Sequence, residues 1–362
     1  MLIISDMGAF YRNMRKIIRG VLSLCICFSV FSCDDKVENS MVNLFQNQTM
    51  ASVVASPIST EEFRTPYLMD YKDGMLLLGD IHQPKFMSVF DGLKGTFLGD
   101  FASRGMGPDE FIHLGNISQV GNSLCLWDAG RSSLVFVEQD GGSLSYRSVQ
   151  INVDDSLSAA FQVIPLREDA FLASGIVKGH RLALLDGRGH VVSLFGHYPK
   201  GYRRQNTDAE NGFIYQGTMA YQEKKGVLAV ACGMGESICF YDMNNGGHLI
   251  KEYSFEHPIY ELTGDNVSPV VFRTDNKTGF VDLKSSTNYC IGLFSGEERI
   301  GPEDYGGNKL LLFAWNGEPA KMMRLEGKYT NMAIDEERRR ILLLGVDSDG
   351  GGYMLSEVEL PN

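Results

Sequence analysis

From about Leu44 onward the chain shows no long stretch with apolar residues at helical spacing. Short β-rich runs alternate instead with Gly/Asp/Asn turns, the pattern of an antiparallel all-β protein. The clearest units are hairpins: FMSVFDGLKGTFLGDF, SLVFVEQDGGSLSYRSV, RLALLDGRGHVVSLF, SICFYDMNNGGHLIKEYSF and KLLLFAWNGEPAKMMRL. In each, an apolar run ends in an acidic or amide residue, a glycine-bearing turn follows, and a second run leaves. Asp91, Asp140, Asp186 and Asp242 suit such turns because a short polar side chain bonds the local backbone. Gly95, Gly141, Gly187 and Gly246 are expected to take positive φ there.

Ahead of most hairpins sits another apolar run: GMLLLGD at Gly74, NSLCLWD at Asn122, DAFLASG at Asp169, GVLAVAC at Gly226 and TGFVDL at Thr278. These flat runs have the pattern of inner strands. The turn aspartates at 91, 140, 186 and 242 mark a repeat near 50 residues. Four strands per unit at that period is the β-propeller pattern, and division of the chain from Gln46 gives about six units. The expected fold is therefore an all-β, six-bladed β-propeller of four-stranded antiparallel blades. The last unit, RRRILLLGVDSDGGGYMLSEVEL, is short of a strand, and one from TMASVVASPI near the amino terminus is expected to close the ring. No second domain is assigned.

The loop DFASRGMGPDEFIHL, Asp100 to Leu114, falls between the last strand of the first unit and the second unit. A phosphate cradle would place its glycines before a helix with Lys and Ser/Thr, whereas here PDEF follows. The segment reads instead as a turn, with Arg104 and Glu110 placed to pair across it and Phe111 to plug between blades. An RG-x-GP-x-EF turn within repeated hairpins resembles the TolB-like, NHL-related six-bladed propeller lipoproteins of Gram-negative gut anaerobes. FGHYPKGYRR at Phe195 to Arg204 resembles a second turn of that group. The resemblance spans roughly residues 60 to 360 and implies mainly a fold. Asp109 stands where the related turns often carry Gly.

The amino terminus supplies an address. Arg15, Lys16 and Arg19 precede an apolar-to-small run from Val21 to Phe31, which is too short for a permanent membrane span. It ends in Val30-Phe31-Ser32-Cys33, which resembles a lipoprotein lipobox with Cys33 as the lipidated residue. Residues 1–32 are thus read as a lipoprotein signal peptide, 33–43 as an acidic tether carrying Asp34, Asp35 and Glu38, and 44–362 as the propeller. The expected location is the cell envelope, with the membrane engaged through Cys33 and the domain on the periplasmic or surface face of the outer membrane. The formal net charge of -12 speaks against nucleic acid, whose binding draws on clustered Lys and Arg.

Of seven cysteines, four lie beyond Cys33: Cys125, Cys232, Cys239 and Cys290. They sit at or within apolar runs and read as free core thiols, with a Cys232–Cys239 disulfide as the other possibility. None of the seven histidines forms an H-x-H or H-E-x-x-H pair, and neither a G-x-S-x-G elbow nor a P-loop occurs. No catalytic residue, metal ligand or cofactor is assigned. A site on this fold belongs at one mouth of the central channel, and Arg104, Glu110, His180, Arg181, Tyr202, Arg203 and Arg204 are the ligand-binding candidates. His180 and Arg181 also read as a solvated pair opening a strand. The leading expectation is a non-catalytic module binding a peptide, glycan or partner protein. An envelope hydrolase or lyase with a metal held on the axis is the alternative.

Overall fold

A computed structural model of the chain describes residues 40–60, 63–140, 143–199, 206–265, 267–299, 305–346 and 352–361. Cys33 and the whole signal segment lie outside them, as do Tyr202, Arg203, Arg204 and Gly141. The chain from Ser40 onward opens with the short strands β1 (Gln48–Met50) and β2 (Val54–Ala55). Then come four separate four-stranded antiparallel sheets. The first contains β3 (Pro66–Lys72), β4 (Met75–Asp80), β5 (Lys85–Asp91) and β6 (Phe97–Ser103). The second contains β7 (Leu114–Val120), β8 (Ser123–Asp128), β9 (Ser133–Asp140) and β10 (Ser143–Gln150). The third contains β11 (Leu157–Arg167), β12 (Ala170–Val177), β13 (Leu182–Asp186) and β14 (Val191–Phe195). A helix, α1 (Asp208–Ile214), leads into the fourth, with β15 (Gly217–Gln222), β16 (Val227–Cys232), β17 (Ser237–Asp242) and β18 (His248–Ser254).

A two-stranded hairpin, β19 (Tyr260–Leu262) with β20 (Val270–Phe272), is inserted before the remaining strands. These are β21 (Lys277–Ser285), β22 (Tyr289–Glu298), β23 (Gly307–Ala314), β24 (Pro319–Asp335), β25 (Arg340–Val346) and β26 (Tyr353–Glu359). They form one eight-stranded sheet together with β1 and β2. Within it β24 serves twice: its first part pairs with β23, Tyr329 pairs with both Gly307 of β23 and Gly345 of β25, and from there on it pairs with β25. Gly327, at φ 88°, lies at the changeover, a conformation glycine adopts without steric cost. β2 pairs antiparallel with β26, Val54 opposite Glu357, and β1 pairs parallel with β24. The segment read as tether is partly folded, since Met41 is buried and its amide donates to Glu236 Oε2 at 2.6 Å.

The sheets stand face to face around an axis as in a β-propeller, and alternation along each strand explains why. In β8, Leu124 and Leu126 pack against the first sheet while Cys125 and Trp127 pack against the third. In β16, Leu228 and Val230 face the third sheet and Ala229 and Ala231 face β21 and its neighbours. In β25 the odd positions Ile341 and Leu343 face β22 and β23, and the even positions Leu342 and Leu344 face the first sheet. A strand covered on both faces must be apolar on both, so these runs lack a polar side. Burial of a large apolar side chain is worth roughly 1.5–3 kcal/mol, and each inter-sheet layer holds many.

The turns follow the local chemistry read from the sequence, with one shift. The Asp91 carboxylate accepts from the amides of Leu93 and Lys94, that of Asp186 from Arg188 and His190, and that of Asp242 from Asn244. These bonds hold the Asp91 and Asp186 carboxyls below the usual carboxylate range. In the turn at Asp186 the positive φ falls on Gly189, at 78°, and not on Gly187. All four described cysteines are free and buried. Burial pushes the Cys125 thiol up to about 12 and the Cys239 thiol up to about 11, so both stay protonated and inert.

Of the five expected inner strands, TGFVDL does lie in an innermost strand, β21, and the other four are corrected. The apolar runs GMLLLGD, NSLCLWD, DAFLASG and GVLAVAC form the second strands β4, β8, β12 and β16. The innermost strands are β3, β7, β11, β15, β21 and the second part of β24, which neighbour one another in a closed cycle. They are more polar because one edge of each faces the axial channel. That edge has no ladder partner, and its N–H and C=O groups need other partners.

Side chains supply them at every junction, each reaching forward to the following inner strand or the residue flanking it. Tyr67 Oη donates to Leu114 O at 2.9 Å. Asn116 Nδ2 donates to Val163 O at 3.0 Å while its Oδ1 accepts from Val163 N at 3.2 Å. Arg181 Nη2 donates to Tyr215 O at 3.3 Å, and Gln222 Nε2 to Ser286 O at 3.0 Å. Asp282 Oδ2 accepts from Met332 N at 2.9 Å, and Asn331 Nδ2 donates to Tyr67 O at 2.9 Å. Asn116, Asp282 and Asn331 each directly follow a register shift, between Leu114 and Asn116, Phe280 and Asp282, and Tyr329 and Asn331. A bulge at that point turns the next side chain toward the neighbouring strand.

Asn116→Leu keeps the side-chain volume but leaves both backbone groups of Val163 without their partner. A loss of roughly 2–4 kcal/mol is expected in urea-unfolding free energy. A change within experimental error would mean that the stitch carries no stability.

Candidate functional site

The six inner strands enclose an axial cavity of about 930 Å³, within the size range of ligand sites. Its two mouths differ. The short turns after β3, β7, β15 and β24 make one end, the hairpin face. The longer connections between sheets make the other, the loop face, which carries the Arg104–His113 turn, α1 and the β19–β20 hairpin.

On the hairpin face, polar side chains cross the mouth. Glu223 Oε2 accepts from Gly121 N at 3.3 Å, Gln119 Nε2 donates to Asp70 Oδ2 at 2.9 Å, and Lys284 Nζ donates to Met69 O at 2.7 Å. The Asp282 carboxylate lies just inside, buried, with Lys284 Nζ 3.9 Å away. Burial raises its proton affinity, partly offset by Lys284 and by the Met332 and Leu283 amides. Burial likewise lifts the Tyr67 phenol above its ordinary range, so its O–H remains a donor at neutral pH.

The turn that carries Arg104 and Glu110 is built from inside. Arg104 Nε donates to Gln83 O at 2.9 Å, its Nη2 bonds Ile81 O, and its guanidinium stacks 3.7 Å from the Phe86 ring centroid. Glu110 Oε2 accepts from Gly107 N at 2.7 Å. The expected Arg104–Glu110 pair is therefore corrected: Arg104 is spent on backbone carbonyls of the β4–β5 connection and Glu110 on an amide of its own loop. Arg131 Nη2 closes the loop from the next turn by donating to Gly107 O at 2.7 Å. Gly105 is required, because at φ 150° a Cβ there would stand 2.0 Å from Glu110 Oε2. Phe111 is buried between the first two sheets, its ring 5.5 Å from Tyr146.

His180 and Arg181 are adjacent in sequence and separated in space. His180 is exposed, with its Nδ1 3.1 Å from Lys178 O. Arg181 is 4% exposed and lines the cavity, so the solvated-pair reading is corrected for it. Beta pairing of Leu182 with both Ser174 and Phe195 fixes the start of β13 and draws its preceding residue inward. Tyr198 and Tyr215 pack 5.4 Å apart on the same wall. α1 above them is held by a capping box between Thr207 and Glu210. Among the described residues no three His, Cys, Asp or Glu side chains converge in a way that could hold a metal ion.

The stitching residues Tyr67, Asn116, Gln222, Asp282 and Asn331 were not singled out by sequence reasoning. Their signal was an amide, carboxylate or phenol among the apolar residues of the first strand of each unit, as in LGNISQV, TGFVDL and YTNMAID. Six inner strands around one cavity, each backed by antiparallel neighbours, agree with a family model described as TolB-like 6-blade propeller-like that matches residues 44–337. The chain belongs to this TolB-like family. No curated protein matches the chain of this TolB-like propeller. Among solved structures it is similar to a protein of Bacteroides fragilis NCTC 9343 whose name describes it as exported, at 10% identity and TM-score 0.54, covering 87% of this chain and 99% of that one. It also matches the Swd1 β-propeller domain of Myceliophteria thermophila at 11% identity and TM-score 0.44, covering 86% and 100%. BamB of Moraxella catarrhalis follows at 12% identity and TM-score 0.38, covering 81% and 84%. At these identities the first match bears on the fold alone.

Asp282 generates a pH prediction with a defined sign. Its folded-state proton affinity is raised, so its contribution to stability is fully present below the ordinary carboxylate range, about pH 4, and is lost as pH rises through the raised value. Asp282→Asn is expected to flatten the decline in urea midpoint between about pH 4 and pH 7. An unchanged slope would remove Asp282 from the account.

Proposed function

We propose that this TolB-like propeller is a lipid-anchored, non-catalytic interaction module of the cell envelope that engages a partner protein with its loop face. The eight-stranded sheet is read as two blades sharing β24, which makes six blades, with β2 as the closing strand of the last. Cys33 is read as the lipid attachment point, with residues 34–39 as the spacer. The exported character in the name of the Bacteroides fragilis fold neighbour fits an envelope location.

The observation that carries this reading is a set of exposed apolar side chains on the loop face. Met106 is 85% and Val267 80% exposed, and Ile112, Ile259, Leu262 and Val271 are also exposed on the loop face. Apolar groups held in water on the insertion-bearing end favour an interface there. Meanwhile the polar side chains of the inner strands are occupied in holding the strands together. Lipidation would restrict the domain to the membrane surface and raise its effective concentration toward envelope partners.

Photo-crosslinking separates the faces. A photoreactive residue at Met106 or Val267 is expected to capture one discrete envelope protein, and the same group at Leu93 on the hairpin face none. Val267→Asp should abolish the adduct formed at Met106. Capture from Leu93 alone would reverse the assignment of faces. Cys33→Ser should remove palmitate labelling and release the protein from membranes; retained labelling would place the lipid elsewhere.

A further inference from the structure

We infer that Arg181 is the anchor of a small-molecule carboxylate site inside the axial cavity. The site is separate from the exposed loop-face residues and does not depend on the partner reading. Arg181 is the only arginine among the described residues lining the cavity, and the lining lysines, Lys72, Lys224 and Lys284, belong to the hairpin end of their strands. The residue is 4% exposed. Nη2 is engaged by Tyr215 O at 3.3 Å and Cys232 Sγ at 3.2 Å. Nη1 is buried and makes no hydrogen bond. No described carboxylate forms an ion pair with it, and the polar groups nearest its charge are Cys232, Cys239, Tyr241 and Tyr198.

An arginine cannot shed its charge on burial as a lysine can, because its guanidinium stays protonated at any pH the fold tolerates. A buried, uncompensated cation is among the most costly features a core can hold. Nη2 is held by a carbonyl and a sulfur while the N–H donors of Nη1 stay unused, which leaves charge-assisted donors for an anion. A carboxylate oxygen is an acceptor that such donors favour. The surroundings define the rest of the ligand. Phe161, Tyr198 and Tyr215 line the same cavity and present ring surface, so a carboxylate carried on a ring-sized body fits the wall. Entry is from the loop face, where Arg181 opens β13 and Tyr215 follows α1.

The source of the carboxylate, a sugar acid or an aromatic acid, is left to the probes. Glucuronate and benzoate are titrated calorimetrically into the purified full chain at constant ionic strength, with inorganic phosphate as comparator. Saturable one-site binding of at least one carboxylate is expected. It should be weakened about ten-fold or more in Arg181→Met and unchanged in Arg167→Met, whose charge lies on an exposed hairpin-face turn. Preference for glucuronate assigns a sugar acid, and preference for benzoate an aromatic acid. If Arg181→Met does not fold, Arg181→Lys with a native circular dichroism spectrum is expected to show the same loss. Absence of carboxylate binding to the wild-type chain, equal binding to the Arg181 variants, or binding of phosphate alone would overturn the inference. So would carboxylate binding that emerges only in Cys232→Ala, since the Cys232 sulfur would then be the native counter-charge.

Discussion

The structure depends on satisfying one set of backbone groups. Each sheet presents its first strand edge-on to the axis, and neighbouring first strands run alongside one another without a ladder between them. Their axial N–H and C=O groups would cost about 1–3 kcal/mol each if buried unpaired. Water in the cavity can meet some of that need. At the junctions, where strands approach and water is squeezed out, side chains do so instead. Asn116 is the clearest case, since one amide copies both halves of a β-ladder bond to Val163.

This requirement also shapes what the site can do. Polar residues on the cavity wall that might otherwise look like catalytic candidates are committed: Asp282 to the Met332 amide, Tyr67 to Leu114, Asn331 to Tyr67. Arg181 is half committed. It bonds Tyr215 O as the stitch between the third and fourth sheets and keeps Nη1 buried and unbonded.

The repeat, the hairpins and the all-β class were legible in the sequence because each rests on local chemistry. Aspartates such as Asp91 and Asp186 fold back on their own turns whatever surrounds them. The order of strands from axis to rim was misread for a physical reason. Apolar runs such as NSLCLWD have the pattern of inner strands, but double-sided burial occurs in the second strand, between two neighbouring sheets, and the axial strand faces the cavity. The candidate residues fared similarly. Arg104 and Glu110 have the right charges to pair, yet nearer backbone groups win them. Arg181 looks like half of a polar His-Arg pair, and only the pairing of β13 to both neighbours turns it inward. Contacts that cross from one sheet to the next, as between Asn116 and Val163, leave no trace at short sequence range.

The most direct measurement of the stitching is residue-resolved native-state hydrogen exchange on the amides of Val163 and Met332. Their axial N–H groups are bonded to the side chains of Asn116 and Asp282. Protection approaching that of the second-strand amides in β8 and β16, lost at Val163 alone in an Asn116 variant, is the result this account predicts. Exchange at Val163 and Met332 as fast as in the exposed turns would contradict it, since water and not the neighbouring strand would then be meeting the axial edge.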